Sequence, residues 1–277
     1  MCSTCGCGQP DDMVKISVPG VKENENHHDH EHTHDHHHDT HHHHDHPAES
    51  REVKLQQDIL YQNNLLAERN RGFFMAKNIT AINLVSSPGS GKTTLLEKTI
   101  QMLASSVPLS VIEGDQQTSN DADRIAATGA KVVQINTGKG CHLDAHMILH
   151  AIEKLKPQQN SMLFIENVGN LVCPSMFDLG EKWRVVIMSV TEGDDKPIKY
   201  PDMFHTSQIC IINKIDLLPY VDFNLEKAKD YARRVNPGII FLEVSATRGN
   251  GMEEWTGWIR NQMKEPENSV IFHRKVV

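Results

Sequence analysis

The sequence predicts an α/β fold, a mostly parallel sheet with helices on both faces, preceded by a disordered histidine-rich segment. Three observations carry this. From Ile79 onward, apolar runs of strand type alternate with helical stretches, the pattern of parallel strands joined by crossover helices. The first of these strands, AINLV, runs directly into a glycine-rich loop and then a helix. The first fifty residues are too polar to contribute to a core, and the remainder of the 277-residue chain suffices for one large α/β domain.

The elements follow in order. Residues 1–8, MCSTCGCG, form a cysteine-rich tip, and residues 9–50 read as a disordered linker. Residues 53–71 have helical spacing through Leu55, Ile59 and Leu66, with Gly72 as a stop signal. The body, 51–277, then offers strands at 79–85, 109–113, 131–135, 161–165, 184–190, 208–213 and 239–244. Helices are expected at 92–104, 120–127, 142–155, 223–235 and 251–263.

Charge is distributed unevenly. Residues 1–50 hold ten acids against two lysines, which accounts for the whole net charge of −8, so the body is balanced. A balanced body has no electrostatic footprint for nucleic acid. No apolar run approaches a membrane span, and the N-terminus lacks the apolar stretch of a signal peptide. The six cysteines do not form a disulfide framework for a body this size, so a cytoplasmic protein with reduced thiols is expected.

Thirteen of the eighteen histidines lie between His27 and His46, interleaved with Asp29, Asp35, Asp39 and Asp45. Imidazole suits borderline divalent cations such as nickel, copper and zinc, so the tract reads as a multi-site metal reservoir. An uninterrupted terminal tag would look different. At the tip, Cys2, Cys5 and Cys7 place three thiolates within a few residues, able to wrap Ni²⁺ with the terminal amine. Zinc or an iron–sulfur cluster is the rival, although three cysteines fall one short of the usual cluster set.

The loop Ser86-Ser-Pro88-Gly89-Ser90-Gly91-Lys92-Thr93, followed by Thr94 and a helix, is suited to binding phosphate. Small residues let backbone N–H groups close around phosphates at a helix N-terminus, Lys92 neutralises phosphate charge, and the Thr93 hydroxyl can ligate Mg²⁺. Ser86 stands where this motif usually begins with glycine. Asn213-Lys214-Ile215-Asp216 follows one apolar strand and Ser245-Ala246-Thr247 another. A carboxylate at Asp216 can accept from guanine N1–H and its amino group, which adenine cannot match, and such polar pairs discriminate strongly. Lys214 can lie along the base, and the Ala246 N–H can reach the guanine oxygen. The expected nucleotide is GTP on a P-loop GTPase fold.

Acids at strand ends complete that site. Asp115, Asp121 and Glu166 are expected near Mg²⁺ and the γ-phosphate, and Gly169 lies where a γ-phosphate sensor would. Solvation or helix capping is the plain alternative, chiefly for Asp121. Cys141-His142 and Cys173 leave strands expected to be adjacent, so two thiolates and one imidazole can converge on Zn²⁺ or Ni²⁺. Two buried structural cysteines are the alternative. Cys210, inside an apolar strand, reads as core. His142, His146 and His150 fall on one helical face, as a solvated stripe or with His146 as a further ligand.

Together MCSTCGCG, the histidine tract, SSPGSGKTT, EGDQQT, TGKGCHLDA, IENVGNLVCP, NKIDLLP and SAT resemble the hydrogenase nickel-incorporation GTPases, the HypB family, over essentially the whole chain. The resemblance implies a metallochaperone that hydrolyses GTP while delivering nickel to a [NiFe]-hydrogenase. It also implies metal ligands at Cys141, His142 and Cys173, and a homodimer in which Lys139 reaches the partner's phosphate. Implied partners are a HypA-type nickel metallochaperone and the hydrogenase large subunit. Two alternatives differ in class. A urease-type accessory GTPase would carry Cys-Pro-His, whereas Cys173-Pro174 is followed by Ser175. A non-enzymatic nickel store would leave the guanine-binding set without purpose.

Overall fold

The computed structural model describes residues 14–20, 48–116 and 120–264 of the chain. In chain order the elements are β1 Lys15–Ser17, α1 Ala48–Ala76, β2 Thr80–Ser86, α2 Lys92–Leu103, β3 Leu109–Asp115, α3 Asn120–Ala127, β4 Lys131–Asn136 and α4 Ala145–Leu155. They continue as β5 Met162–Glu166, α5 Cys173–Met176, β6 Trp183–Ser189, α6 Lys196–Lys199, α7 Pro201–Thr206 and β7 Ile209–Asn213. After a 3₁₀ turn, Ile215–Tyr220, come α8 Leu225–Val235, β8 Ile240–Glu243 and α9 Met252–Lys264.

The sheet has eight strands in the order β1-β4-β3-β5-β2-β6-β7-β8, parallel throughout except β1. Central strands such as TAINLVS and MLFIE are buried on both faces, so their sequences are nearly continuous apolar runs rather than alternations. One face packs Leu95, Leu96 and Ile100 of α2 with Trp255 and Ile259 of α9. The opposite face packs Phe74 of α1 and Ile148, Ile152 and Leu155 of α4, with a third cluster under α7 and α8. All seven expected strands form within two residues of their expected ends.

Three features depart from expectation. Residues 14–20 fall within the segment read as disordered linker, yet Lys15–Ser17 add an antiparallel strand to β4, with Ile16 opposite Ile135. Val14, Ile16 and Val18 supply a period-2 apolar face to the α4 side of the core, and Lys154 donates to the Ile16 carbonyl at 2.6 Å. Gly72 does not stop α1: a Cβ there would meet nothing, and the helix ends instead at Lys77-Asn78, where Asn78 turns to φ +48°. The helix expected from 142 begins at Ala145, because Asp144 caps it by accepting from the Met147 amide at 2.8 Å. Residues 141–144 are thereby left as a loop.

Asparagines fix α1 against that loop. Asn63 accepts from the Ala145 amide at 2.9 Å and donates to the Asp178 carbonyl, while buried Asn70 donates to Ala145 and Leu179 carbonyls. Among the described residues, no helix is long and apolar enough to cross a membrane.

Candidate nucleotide and metal sites

The loop after β2 sits at the C-terminal edge of the sheet, and no side chain caps the α2 amides behind it. Free helix N-terminal amides form an anion site. Gly91 adopts φ +90°, and a Cβ there would stand 2.6 Å from Asn213 Nδ2. Both the turn and the close approach therefore require glycine. Pro88 abuts Gly169: a Cβ on Gly169 would lie 3.3 Å from the Pro88 backbone. The Ser90 hydroxyl is buried without a hydrogen-bond partner. Thr94 Oγ1 accepts from Arg124, which also pairs with Asp121 at 3.1 Å.

Thr93 Oγ1 donates to Glu166 Oε1 at 2.6 Å, and Lys92 Nζ stands 3.5 Å from the same oxygen. Burial pushes the Glu166 carboxyl up, opposed by Lys92 and by the Thr93 hydrogen bond. Its other oxygen has no partner. Directly opposite in register is Glu113 of β3, also buried, with its own Oε2 unpartnered. Burial, then the Glu166 and Asp115 charges, push Glu113 up to about 9. Asp121 adds repulsion at both carboxyls. Two buried carboxyls with orphaned oxygens beside a threonine hydroxyl are a donor set suited to a hard divalent cation. Glu113 is absent from the sequence reading, although an acid flanked by apolar residues inside the strand LSVIEGD was a signal for it.

Asn213 is buried and organises the base-binding side. Its Nδ2 donates to the Ser90 carbonyl at 2.9 Å, and its Oδ1 accepts from the Lys214 and Ala246 amides. The Ala246 N–H expected at the guanine oxygen is thus bonded to Asn213, at 3.2 Å. Lys214 Nζ donates to the Gly89 carbonyl at 2.8 Å, so its stem crosses from the base loop to the phosphate loop. Asp216 Oδ1 is buried without a partner, an acceptor awaiting donors such as those of guanine. Ser245 Oγ accepts from the Arg248 amide, which holds the loop after β8.

Cys141 Sγ lies 2.9 Å from Cys173 Sγ and 3.7 Å from His142 Nδ1. Ligand atoms of all three residues lie within 4.8 Å of one another. Burial pushes the His142 imidazole down, with Asp144 opposing, which favours the neutral form that ligates metals. Its ring stacks on Phe177 at 4.0 Å. Two thiols and a neutral imidazole fit a borderline cation. The parent strands β4 and β5 are not adjacent as expected: β3 lies between them. Two side chains bridge the gap, with Asn167 accepting from the Leu143 amide at 3.2 Å and Asn170 donating to the Cys141 carbonyl at 3.3 Å. Gln116 adds a third tie, to the Gly140 carbonyl. The histidine stripe divides: His142 is buried before the helix, while His146 and His150 lie on α4. Lys139 is exposed on the same loop as Cys141, and Cys210 is fully buried in β7, as read from the sequence. Cys2, Cys5, Cys7 and the histidine tract lie outside the described residues.

Comparison with known proteins agrees with this geometry. The model of the CobW/HypB/UreG nucleotide-binding domain matches residues 80–243. The chain belongs to the CobW/HypB/UreG family, among its HypB members. A relative named hydrogenase maturation factor HypB from Azotobacter chroococcum mcd 1 is 59% identical over 215 residues, 78% of this chain and 70% of the relative. One of the same name from Escherichia coli (strain K12) is 47% identical, covering 95% of this chain and 99% of the relative. A crystal structure of HypB from Helicobacter pylori in complex with nickel superposes with a TM-score of 0.69 at 35% identity, covering 73% of this chain and 95% of that one. HypB members share the P-loop GTPase fold, and the phosphate loop, base loop and Cys141 cluster of this chain all lie in the segment 80–243.

Residues that sequence reasoning did not single out complete the site. Ser87 Oγ donates to Glu192 Oε2 at 2.7 Å, and Lys196 pairs with the same carboxylate at 3.3 Å, which anchors the phosphate loop to the segment before α6. Asn170 holds the Cys141 carbonyl, Phe177 stacks on His142, and Asn167 holds the next residue, Leu143, through the contacts described above.

Proposed function

We propose that this chain binds and hydrolyses GTP and uses that cycle to deliver nickel during [NiFe]-hydrogenase maturation. The observation that carries the reading is the hydrogen-bonded junction of the Cys141 loop with the loop after β5, which holds Gly169 against the phosphate loop. The names of the relatives and the nickel complex of the Helicobacter pylori structure support the choice of cargo.

In this reading Pro88, Gly89, Ser90, Gly91 and Thr94 surround the phosphates, with Lys92 neutralising their charge. Lys214 and Asp216 hold guanine, and Asn213, Ser245 and Ala246, bonded to one another or to their own loops, shape the pocket around it. Thr93, Asp115 and Glu166, with Asp121 beside them, would hold Mg²⁺, which supplies charge neutralisation at the β- and γ-phosphates when bound. Water attacks the γ-phosphorus, the bond to the β–γ bridging oxygen breaks, and GDP leaves with its charge held by Lys92 and the α2 amides. Lys139 serves the partner subunit's phosphate in a homodimer. Cys141, His142 and Cys173 take Ni²⁺, with Zn²⁺ as competitor.

Residues 1–8 act as a nickel-binding tip through Cys2, Cys5 and Cys7, and the tract within 9–50 stores nickel for the body that begins at 51. A HypA-type metallochaperone and the hydrogenase large subunit are the exchange partners, in the cytoplasm. The test is transfer of nickel from the loaded full chain to hydrogenase precursor, read as acquired hydrogenase activity with GTP or a non-hydrolysable analogue. Activity should appear with GTP alone; equal activity with both would refute a role for hydrolysis.

A further inference from the structure

Cys141 and His142 share the loop 141–144, whose backbone is held by Asn167 and Asn170. The imidazole itself is held differently. A histidine that ligates a metal usually gives its other ring nitrogen to a carboxylate, a carbonyl or water, which fixes the ring. Among the described residues, the hydrogen-bond contact of the His142 ring is with Cys141 Sγ, 3.7 Å from Nδ1. What fixes the ring plane is Phe177, which stacks on the imidazole at 4.0 Å between centroids, with the planes 25° apart. Both side chains are buried.

Phe177 is in turn fixed by the stretch of chain that carries Cys173. It directly follows α5, the short helix that begins at Cys173. Arg184 of β6 donates to the Phe177 carbonyl at 2.8 Å and to the Ser175 carbonyl at 3.1 Å, and buried Glu181 pairs with Arg184 at 2.7 Å. One clamped segment thus delivers both a thiolate and the ring that lies against the imidazole. Phe177 also lines a cavity of about 330 Å³ together with Asp58, Asn63 and Asp144, and His142 does not reach that cavity. The Phe177 ring therefore stands between the imidazole and the cavity.

We propose that Phe177 is the positioning residue for the third donor of the metal cluster. Its ring holds the His142 imidazole turned toward Cys141 and shields it from the cavity. The stack takes the orienting role that a carboxylate or carbonyl has at other histidine ligands. Phe177 touches no metal, so its effect passes through His142. In Phe177→Leu the apolar contact is kept while the ring-on-ring stack is lost. In Phe177→Tyr the stack is kept, and the adjoining cavity offers room for the hydroxyl. The inference rests on the reading of Cys141, His142 and Cys173 as a nickel site and names the residue that fixes its imidazole.

The experiment is a double-mutant cycle on nickel affinity, with the ring-retaining variant as rescue. The full-length chain with Cys2, Cys5 and Cys7 replaced by serine is titrated with Ni²⁺ at free concentrations set by a chelator. Nickel–thiolate absorption then reports the Cys141 cluster, because the histidine tract adds no sulfur and Cys210 is fully buried. Phe177→Leu should weaken nickel binding by about 10- to 100-fold, the usual effect of removing a group that orients a ligand. Phe177→Tyr should stay close to the parent. In a His142→Ala background, Phe177→Leu should cause no further loss, since the group it acts through is gone. Unchanged affinity in Phe177→Leu would overturn the proposal. An equal loss in both backgrounds would also overturn it, since Phe177 would then only support the Cys173 segment, and so would a loss in Phe177→Tyr as large as in Phe177→Leu. Should His142→Ala bind no nickel, the comparison of the leucine and tyrosine variants decides alone. Absence of the absorption band from the parent chain would instead refute the nickel-site reading itself, so the two failures are distinct.

Discussion

Asn170 donates from Nδ2 to the backbone carbonyl of Cys141 at 3.3 Å, across the end of a strand that separates their parent strands. Together with the bond from the Leu143 amide to Asn167, it makes the segments 141–143 and 167–170 a single hydrogen-bonded unit. Gly169 sits inside that unit and against Pro88 of the phosphate loop. A displacement of the Gly169 segment by a γ-phosphate would thus be passed to Cys141 without any intervening flexible chain.

Asp216, the proposed base reader, has an orphaned acceptor. In Asp216→Asn the amide presents a donor where guanine also donates, so GTP affinity should fall by roughly 10²-fold or more, the scale of an unpaired polar group in such a site. Xanthosine triphosphate, which carries an oxygen in place of the guanine amino group, should recover part of the loss. Competition binding of the two nucleotides measures this directly, and undiminished GTP preference would remove Asp216 from the base site.

The sequence made the central sheet legible because buried parallel strands are apolar along their length, and the nucleotide loops legible because their chemistry is local. What it left obscure depends on strand order. Cys141 and Cys173 were expected to converge from neighbouring strands, whereas the sheet inserts β3 between them and asparagines span the distance. Lys15–Ser17 are too short to register as a strand until β4 offers an edge. Glu113 was hidden by Asp115, two residues on, which occupies the strand end where a metal-facing acid is usually sought. The Ala246 amide was assigned to the base from the motif, but local geometry gives it to Asn213.

Glu113 gives the fold a pH dependence. Its carboxyl is raised from 4.5 to about 9 in the folded chain, so between these values the folded state binds more protons than the unfolded one. Stability in the absence of nucleotide and Mg²⁺ therefore falls as pH rises through that window, by at most about 1.4 kcal/mol per pH unit for one proton. Below pH 4 the contribution is constant. Glu113→Gln should flatten the decline in melting temperature between pH 6 and 8. A parallel decline in the variant would show that the proton resides on another group.

Lys92 of the phosphate loop stands 3.5 Å from the Glu166 carboxyl. Lys92→Ala removes the main counter-ion for transferred phosphoryl charge, and GTP hydrolysis should drop at least about 10²-fold. It also leaves Glu166 without its ion pair, so the carboxyl should be still harder to ionise in the variant. Phosphate release under single turnover is the measurement. Turnover at the parent rate would mean that the phosphate site lies elsewhere.

Nucleotide state and nickel affinity at the Cys141 cluster should be coupled through Asn170. A neutral side-chain bond to a carbonyl contributes about 1 kcal/mol, and coupling between two sites commonly amounts to about 1–3 kcal/mol, or 5- to 150-fold in affinity. Affinity must therefore be compared with GDP and with a non-hydrolysable GTP analogue, at a site that reports separately from the other nickel ligands. Nickel–thiolate absorption provides this in a chain with Cys2, Cys5 and Cys7 replaced by serine, because the histidine tract contributes no sulfur and Cys210 is fully buried. The two nucleotide states should differ at least fivefold, and linkage requires that nickel shift nucleotide affinity by the same factor. Asn170→Ala should reduce the difference while leaving the absorption band in place, since no ligand is removed. Equal nickel affinities in the two states of the parent chain would reduce Cys141, His142 and Cys173 to a structural clasp. A difference that survived Asn170→Ala unchanged would assign the coupling to Asn167 and Leu143 instead.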